Sequence, residues 1–286
     1  MSNKTVIECE DIYFKYPEAN QMALKNINLK INEGDFIAII GQNGAGKTTL
    51  TKLFNGLHEP TKGKVFLDNQ DIEDMKTNEI IKRIGYCYQN PDHQLFSRTV
   101  YDEVEYGPNN LDFSEKEVEE RVQQALEVTN LDDKEERYPF TLGKGERQRL
   151  AIASVIAMGS PILVVDEPTT GLDTNGIVQI MNLITEWNQR GHTVIVVTHD
   201  INMVAKYVPQ TMVMANGRIL AKGKTREVLT KKEELKEAFV KQPQVTRVGD
   251  ELSEFGISKD VMTIEELYNE IKNKIEKSQD YERRAE

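Results

Sequence analysis

The sequence predicts an α/β fold organised around a mainly parallel β-sheet, and three observations carry that prediction. Continuous apolar runs recur as FIAII at 36–40, ILVV at 162–165 and TVIVV at 193–197, interrupted by residues such as Gly and Asp. Runs of this kind read as strands buried on both faces, which points to a parallel sheet. The first run leads through a glycine-rich stretch into a helix with Leu50, Leu53, Phe54 and Leu57 at i, i+3, i+4 and i+7. The second run ends in two acids, Asp166 and Glu167. That is where ligand crevices open in α/β sheets.

The glycine-rich stretch at 41–48, GQNGAGKT, fits G-x-x-x-x-G-K-[ST]. Its glycines allow backbone angles closed to other residues, so that successive N–H groups point into one concavity. The following helix adds its N-terminal amides and positive dipole end, which suits a polyphosphate. Lys47 would reach the β- and γ-phosphate oxygens and the Thr48 hydroxyl would ligate Mg²⁺. Asp166 would hold the same ion, and Glu167 is left to polarise an attacking water.

Between 91 and 160 the pattern changes to helices. Ser114 and Glu117 form a capping box that opens a helix reaching Asn130. Residues 111–137 hold ten acids and four bases, so this segment supplies six of the eleven excess negative charges. A solvated helical face explains that better than an acidic docking site. A last amphipathic helix begins at Thr263 with a second capping box to Glu266, carries Ile264, Leu267, Ile271 and Ile275 on one stripe, and is expected to fray through QDYERRAE. The stripe either covers the core or pairs with a second copy or partner; both readings stand.

Composition narrows the function classes. The 286 residues include 47 acids and 36 Lys/Arg, a net charge of -11, with 38% hydrophobic and 29% charged residues. That is a globular mix, and its acidity argues against a general nucleic-acid binder. No uncharged apolar run reaches the roughly 18 residues of a membrane span. The N-terminal MSNKTVIECEDIYF has no apolar leader core, so the expected compartment is cytosolic and any membrane role peripheral. Cys9 and Cys87 form no C-x-x-C pair, which supports neither a disulfide framework nor a zinc knuckle.

The motif set resembles the ATP-binding-cassette (ABC) ATPases over about residues 5–225. Gln89 follows a strand-like IGYCY at 84–88, as in the family's Q-loop. LGKGERQRLAIA at 142–153 looks like the signature and its helix, TGLD at 170–173 like the D-loop, and THD at 198–200 like the switch histidine. Tyr16 lies where the family stacks a ring on adenine. The resemblance implies a P-loop NTPase core with an antiparallel β region near the N-terminus, an α-helical subdomain and a C-terminal α-helical extension. The implied boundaries are 1–90 and 161–225 for a discontinuous ATP-binding core, 91–160 for the helical signature subdomain, and 226–286 for an extension that is a candidate pairing region. It implies ATP held by Tyr16, Gly41, Gln42, Asn43, Gly44, Ala45, Gly46, Lys47, Thr48 and Thr49. Mg²⁺ would sit on Thr48, Gln89 and Asp166, and catalytic roles would fall to Glu167, His199 and Gln89. His199 would touch the γ-phosphate. In this family two such domains pack head to tail, so Leu142, Gly143, Lys144, Gly145 and Glu146 would meet the partner's ATP, beside the D-loop Asp173. His58, His93 and His192 have no comparable context.

Within the family, QNPDHQ at 89–94 followed by EVEYGP at 103–108 looks like the ATPase subunit of energy-coupling-factor transporters, membrane complexes that import vitamins or transition-metal ions. The implied partners are a second ABC ATPase subunit, the same chain or another, and the transmembrane coupling and substrate-binding subunits, with no nucleic acid. The implied place is the cytoplasmic face of the cell membrane. The surface at 89–94 with Phe96 is expected to dock a helix of the membrane partner, the alternative being a Phe buried in the helical subdomain. A soluble cassette acting in DNA repair or on ribosomes is the competing class; the long coiled-coil insertion or second cassette of those types is not seen. A small-molecule kinase would not explain signature, D-loop and switch histidine together. The transported substrate is not readable from this chain.

The signature departs from its usual Leu-Ser-Gly-Gly-Gln. Gly143 lacks the serine hydroxyl, Lys144 replaces a glycine at about 1 kcal/mol if the position needs positive φ, and Glu146 brings a negative charge that Lys144, Arg147 or Arg149 would offset. Either the site is degenerate, or helix N-terminal amides and the Lys144 ammonium compensate. Compensation is favoured, because decay alone gives no reason for a new cation at an anion site.

Overall fold

The computed structural model describes residues 4–285, with side chains as far as residue 277. Met1–Asn3 of the expected 1–90 segment, and Glu286 at the end of the expected fraying tail, lie outside the described residues. The chain opens with β1 (Thr5–Phe14) and β2 (Leu24–Asn32), paired antiparallel with Cys9 opposite Leu29. The ladder is bulged where Asp11 and Asn26 take left-handed φ of 48° and 52°. After β3 (Phe36–Ile40) and α1 (Lys47–Phe54), β4 (Lys62–Leu67) returns to pair with β1, and β5 (Gln70–Asp71) completes a four-stranded sheet ordered β2-β1-β4-β5.

The chain continues through α2 (Thr77–Ile81), β6 (Ile84–Cys87), α3 (Val100–Asn109), α4 (Glu115–Thr129) and α5 (Lys144–Ala157). Next come β7 (Ile162–Asp166), α6 (Thr174–Gln189), β8 (Thr193–Thr198), α7 (Ile201–Tyr207), β9 (Gln210–Ala215) and β10 (Arg218–Lys224). The C-terminal segment holds α8 (Thr225–Leu229), α9 (Lys232–Glu237), α10 (Gln244–Glu251) and α11 (Ile264–Ala285). A six-stranded sheet is ordered β10-β9-β3-β8-β7-β6, parallel from β9 to β6 with β10 antiparallel at its edge.

Period-two alternation divides the apolar runs between two cores. Ile37, Ile39, Val164, Ile195 and Val197 face the antiparallel sheet and α1, whose Leu50, Leu53 and Phe54 pack there. Phe36, Ala38, Ile40, Val165, Val194 and Val196 face the other way, against a core that includes Val104, Val122, Leu126 and Ile152 of the helical segment. With no polar face available, these strands read as unbroken apolar runs. Leu57 does not extend the α1 stripe: the helix ends at Phe54, and Leu57 lies beyond the left-handed Gly56, 51% exposed.

Ser114 Oγ accepts from the Glu117 amide at 3.4 Å, and the Glu117 carboxylate accepts from the Ser114 amide at 2.8 Å, so the first capping box is complete. The second is half formed. Thr263 Oγ accepts from the Glu266 amide at 3.1 Å, whereas the Glu266 carboxylate turns to the Met262 amide at 2.8 Å and to Arg226 at 2.7 Å. The helix α11 runs to Ala285 where fraying was expected. Its stripe does not cover the core: Ile264 is 78% and Ile275 53% exposed, and Leu267 and Ile271 are half-buried. Among the described residues no helix is long and apolar enough to cross a membrane.

Candidate functional site

The glycine-rich loop joins the end of β3 to α1. Gly46 takes φ 99°, and a Cβ there would lie 2.8 Å from Leu24 Cδ2 and 2.9 Å from the Ala23 carbonyl, so glycine is required both by conformation and by space. Lys47 is buried, and its ammonium donates to the carbonyls of Gly41 at 2.8 Å and Gln42 at 3.1 Å, folding back over the loop. Burial lowers its pKa, opposed by the charges of Glu167 and Asp166. Residues 43–49, Gln89 and Glu167 line one cleft of about 310 Å³.

Asp166 ends β7 against the Thr48 hydroxyl. Its Oδ2 accepts from the Thr48 hydroxyl at 2.8 Å and from the Tyr86 hydroxyl at 3.2 Å, while its buried Oδ1 has no hydrogen-bond partner among the described residues. Burial pushes its carboxyl pKa up, and the Thr48 and Tyr86 hydrogen bonds oppose that. An orphaned carboxylate oxygen beside a threonine hydroxyl is a donor set that fits a hard divalent cation such as Mg²⁺. Among the described residues no three His, Cys, Asp or Glu side chains cluster as a denser metal site.

Glu167 follows at once with a left-handed φ of 50°, a strained backbone for a residue with a Cβ. Its amide donates to the Val197 carbonyl at 2.7 Å, tying the end of β7 to β8, and Thr170 Oγ1 donates to its carboxylate at 3.1 Å. His199 Nδ1 lies 2.9 and 2.8 Å from the two carboxylate oxygens. The His199 ring, expected at a γ-phosphate, therefore holds Glu167 here. It also lines a neighbouring cleft of about 390 Å³ with Gly41, Gln42, Lys241 and Arg247. Tyr16 donates or accepts a 2.9 Å hydrogen bond with Thr49 and stands edge-on to Phe14 and His58, 38% exposed, outside the lining of the phosphate cleft.

The segment 142–146 is not brought to the chain's own phosphate cleft. Gly143 caps α5, and the Glu146 carboxylate accepts from its amide at 2.8 Å and pairs with Lys134 at 3.3 Å. The Gly143 amide and Lys134 hold the Glu146 carboxyl below its usual range. Lys144 does not take positive φ, so the strain expected of it is absent. Its ammonium lies over Gly171, where a Cβ would approach Nζ to 2.3 Å. Two of the three expected offsetting cations make no hydrogen bond to Glu146 itself. Arg147 pairs with Asp92 at 2.7 Å and reaches the Leu142 carbonyl; Arg149 donates to the Thr129 carbonyl at 2.9 Å and to Gln179 at 2.7 Å. Lys134, which no local pattern singles out, pairs with Glu146 directly, and the charge of Arg149 helps to hold that carboxyl low, as expected of it. Asp173 caps α6, accepting from the Gly176 amide at 2.8 Å.

Phe96 is 62% exposed and meets Tyr106 edge-to-face at 4.8 Å, which removes the reading of a buried Phe. The buried Glu103 carboxylate accepts from the amides of Phe96 at 2.9 Å and Ser97 at 2.8 Å, fixing that loop. Gln94 points inward, its amide donating to the Ala151 carbonyl at 3.0 Å and to Ser154 Oγ at 3.1 Å.

A phosphate loop after a central parallel strand, an acid pair at the next strand end and a histidine on that acid define a nucleotide-binding cassette. The profile of the ABC transporter family matches residues 24–170, and the chain belongs to that family. An energy-coupling factor transporter ATP-binding protein, EcfA, of Methanocaldococcus jannaschii is 39% identical over 245 residues, 85% of this chain and 88% of its own length. An ABC transporter ATP-binding protein of Caldanaerobacter subterraneus is 41% identical over 262 residues, 92% of this chain but 45% of its own length, so the chain spans under half of that relative. Among solved structures, cbiO1 from Clostridium perfringens, part of the ABC transporter complex cbiONQ, superposes with a TM-score of 0.75 at 35% identity, covering 87% of this chain and 99% of that one. A dimeric cassette in a post-hydrolysis state bound to ADP and Pi gives 0.69 at 30% identity, covering 77% and 98%.

Proposed function

We propose that this chain is the ATP-hydrolysing subunit of an energy-coupling-factor ABC transporter, acting from the cytoplasmic face of the cell membrane. The observation that carries the reading is the convergence of Lys47, Thr48, Gln89 and Glu167 on one cleft, with His199 hydrogen-bonded to Glu167. The similarity to EcfA and to cbiO1 supports the transporter class.

In this reading the loop amides of residues 41–46 and the N-terminus of α1 hold the ATP phosphates, and Lys47 leaves the loop carbonyls to meet the β/γ oxygens. Tyr16 lies against the adenine. Thr48 and Asp166, with Gln89, would hold Mg²⁺, which supplies neutralisation of phosphate charge. Glu167 accepts a proton from the attacking water, and His199 keeps its carboxylate aimed. Glu167 and His199 would each act only with a phosphate in place, which makes ATP binding itself a closing step. A second ATPase subunit offers its signature across the cleft, residues 142–146 not being among those that line the chain's own. Phe96 and Tyr106, exposed beside the Gln89 loop, dock a helix of the transmembrane coupling subunit, itself joined to a substrate-binding membrane subunit. Closing and reopening of the ATPase pair then moves the membrane partner.

The test is to isolate the complex in detergent through a tag on this chain and identify its components. A polytopic membrane protein and ATP-dependent turnover are expected. Recovery of only soluble proteins or nucleic acid would favour a soluble cassette instead.

A further inference from the structure

Tyr86 has no place in the reading above. It stands in β6 three residues before Gln89, its ring beside Tyr88 with centroids 5.2 Å apart. Tyr86 is half-buried against the core, and its hydroxyl has two partners, Asp166 Oδ2 at 3.2 Å and Thr51 Oγ1 at 3.1 Å. An ionised carboxylate only accepts, so the Tyr86–Asp166 bond uses the Tyr86 proton; Thr51 Oγ1, with one proton of its own, lies 3.1 Å from the Tyr86 oxygen and donates to the Thr48 carbonyl at 3.1 Å. Thr51 is fully buried on α1, one turn from Thr48, whose own hydroxyl donates to the same Oδ2 at 2.8 Å. Two donors from two different elements thus converge on one oxygen of Asp166. The other oxygen, Oδ1, is buried and has no hydrogen-bond partner among the described residues.

We propose that Tyr86 is a positioning residue for the divalent cation of the phosphate site: with Thr48 it fixes the Asp166 carboxylate in one orientation. The inference rests on the phosphate-site reading above and adds to it a residue outside the family motifs described here. Donors behind a ligating carboxylate limit its rotation, and removal of such an outer partner typically weakens metal affinity about 10- to 100-fold. The path from Thr51 through Tyr86 to Asp166 also connects α1, β6 and β7, the three elements whose ends frame the cleft. A phenylalanine at position 86 would keep the ring and its packing and remove only the hydroxyl.

The experiment is an Mn²⁺ titration of the full-length chain, followed by electron paramagnetic resonance, with a non-hydrolysable ATP analogue at saturation. Metal-free nucleotide affinity and thermal midpoint are measured alongside. Tyr86→Phe is expected to weaken Mn²⁺ binding about tenfold while metal-free nucleotide affinity stays within about twofold. A hydroxyl serving packing alone would lower the midpoint and leave the Mn²⁺ constant unchanged, and that result overturns the proposal. Absence of nucleotide-dependent Mn²⁺ binding in the unmodified chain would instead overturn the phosphate-site reading, and this inference with it.

Discussion

The imidazole of His199 and the carboxylate of Glu167 are hydrogen-bonded, with Nδ1 2.8 Å from Oε2, although they stand at the ends of different parallel strands. The bond is built by the sheet: Glu167 donates its amide to Val197, two residues before the histidine, so neighbouring strand ends bring the side chains together. It gives Glu167 one defined direction in which to accept a proton.

Glu167→Gln is therefore expected to retain ATP affinity within a few-fold and to lose hydrolysis by about 100-fold or more, because the amide keeps the shape but cannot take the proton. Single-turnover assays on the assembled complex measure it. Turnover within a few-fold of the unmodified chain would remove Glu167 as the principal base.

Lys47→Ala deletes the cation that burial already holds among the loop carbonyls. Loss of one charge-assisted contact to phosphate is worth about 1.5–3 kcal/mol, so ATP binding is expected to weaken about 10- to 150-fold, read by a fluorescent nucleotide. Retained near-normal ATPase activity would contradict the site.

Phe96→Ala removes an exposed ring whose loop is pinned by Glu103. A central aromatic anchor contributes about 2 kcal/mol or more, so assembly with the membrane partner should weaken about 30-fold while nucleotide affinity is unchanged. Equal recovery of the complex and equal transport would end the docking assignment.

Lys144→Ala is expected to lower complex ATPase about tenfold, the equivalent of about 1.4 kcal/mol in the transition state. Arg147 is committed to Asp92 and the Leu142 carbonyl and Arg149 to Thr129 and Gln179, which leaves Lys144 as the ammonium to test. Restoring the usual pair with Gly143→Ser and Lys144→Gly is expected to give little gain. A silent Lys144→Ala together with a severalfold gain from the restored pair would identify a degenerate site.

The parallel strands were legible because burial on both faces leaves β3 wholly apolar and β7 and β8 apolar except for Asp166, Thr193 and Thr198 at their ends, and the loop at 41–48 because its spacing is fixed by phosphate geometry. The pairing of β1 with β2 and β4 was not, because the bulges at Asp11 and Asn26 break the two-residue period. Leu57 fitted a helical stripe that Gly56 cuts short. Lys134, Asp92, Thr129 and Asp166, which meet Glu146, Arg147, Arg149 and Tyr86, lie 12 to 80 residues from them, beyond any local pattern. The stripe on α11 showed its periodicity in sequence, while its exposure depends on which surfaces the extension reaches.

The Arg147–Asp92 pair has a bearing on how two nucleotide sites would keep in step. Asp92 belongs to the turn that follows Gln89 and precedes Phe96, and Arg147 belongs to the first turn of α5, where it also grips the Leu142 carbonyl. One guanidinium thus rivets the loop proposed to dock the membrane partner to residue 142 at the start of the signature segment. In a head-to-tail pair that signature would face the other chain's ATP. A tug on the loop by the membrane partner would then be reported at the opposite nucleotide as well as at the chain's own, so each transmembrane contact would eavesdrop on both sites. Synchrony of the two halves would be a property of this joint, and loosening it would let them fall out of phase while each still bound ATP.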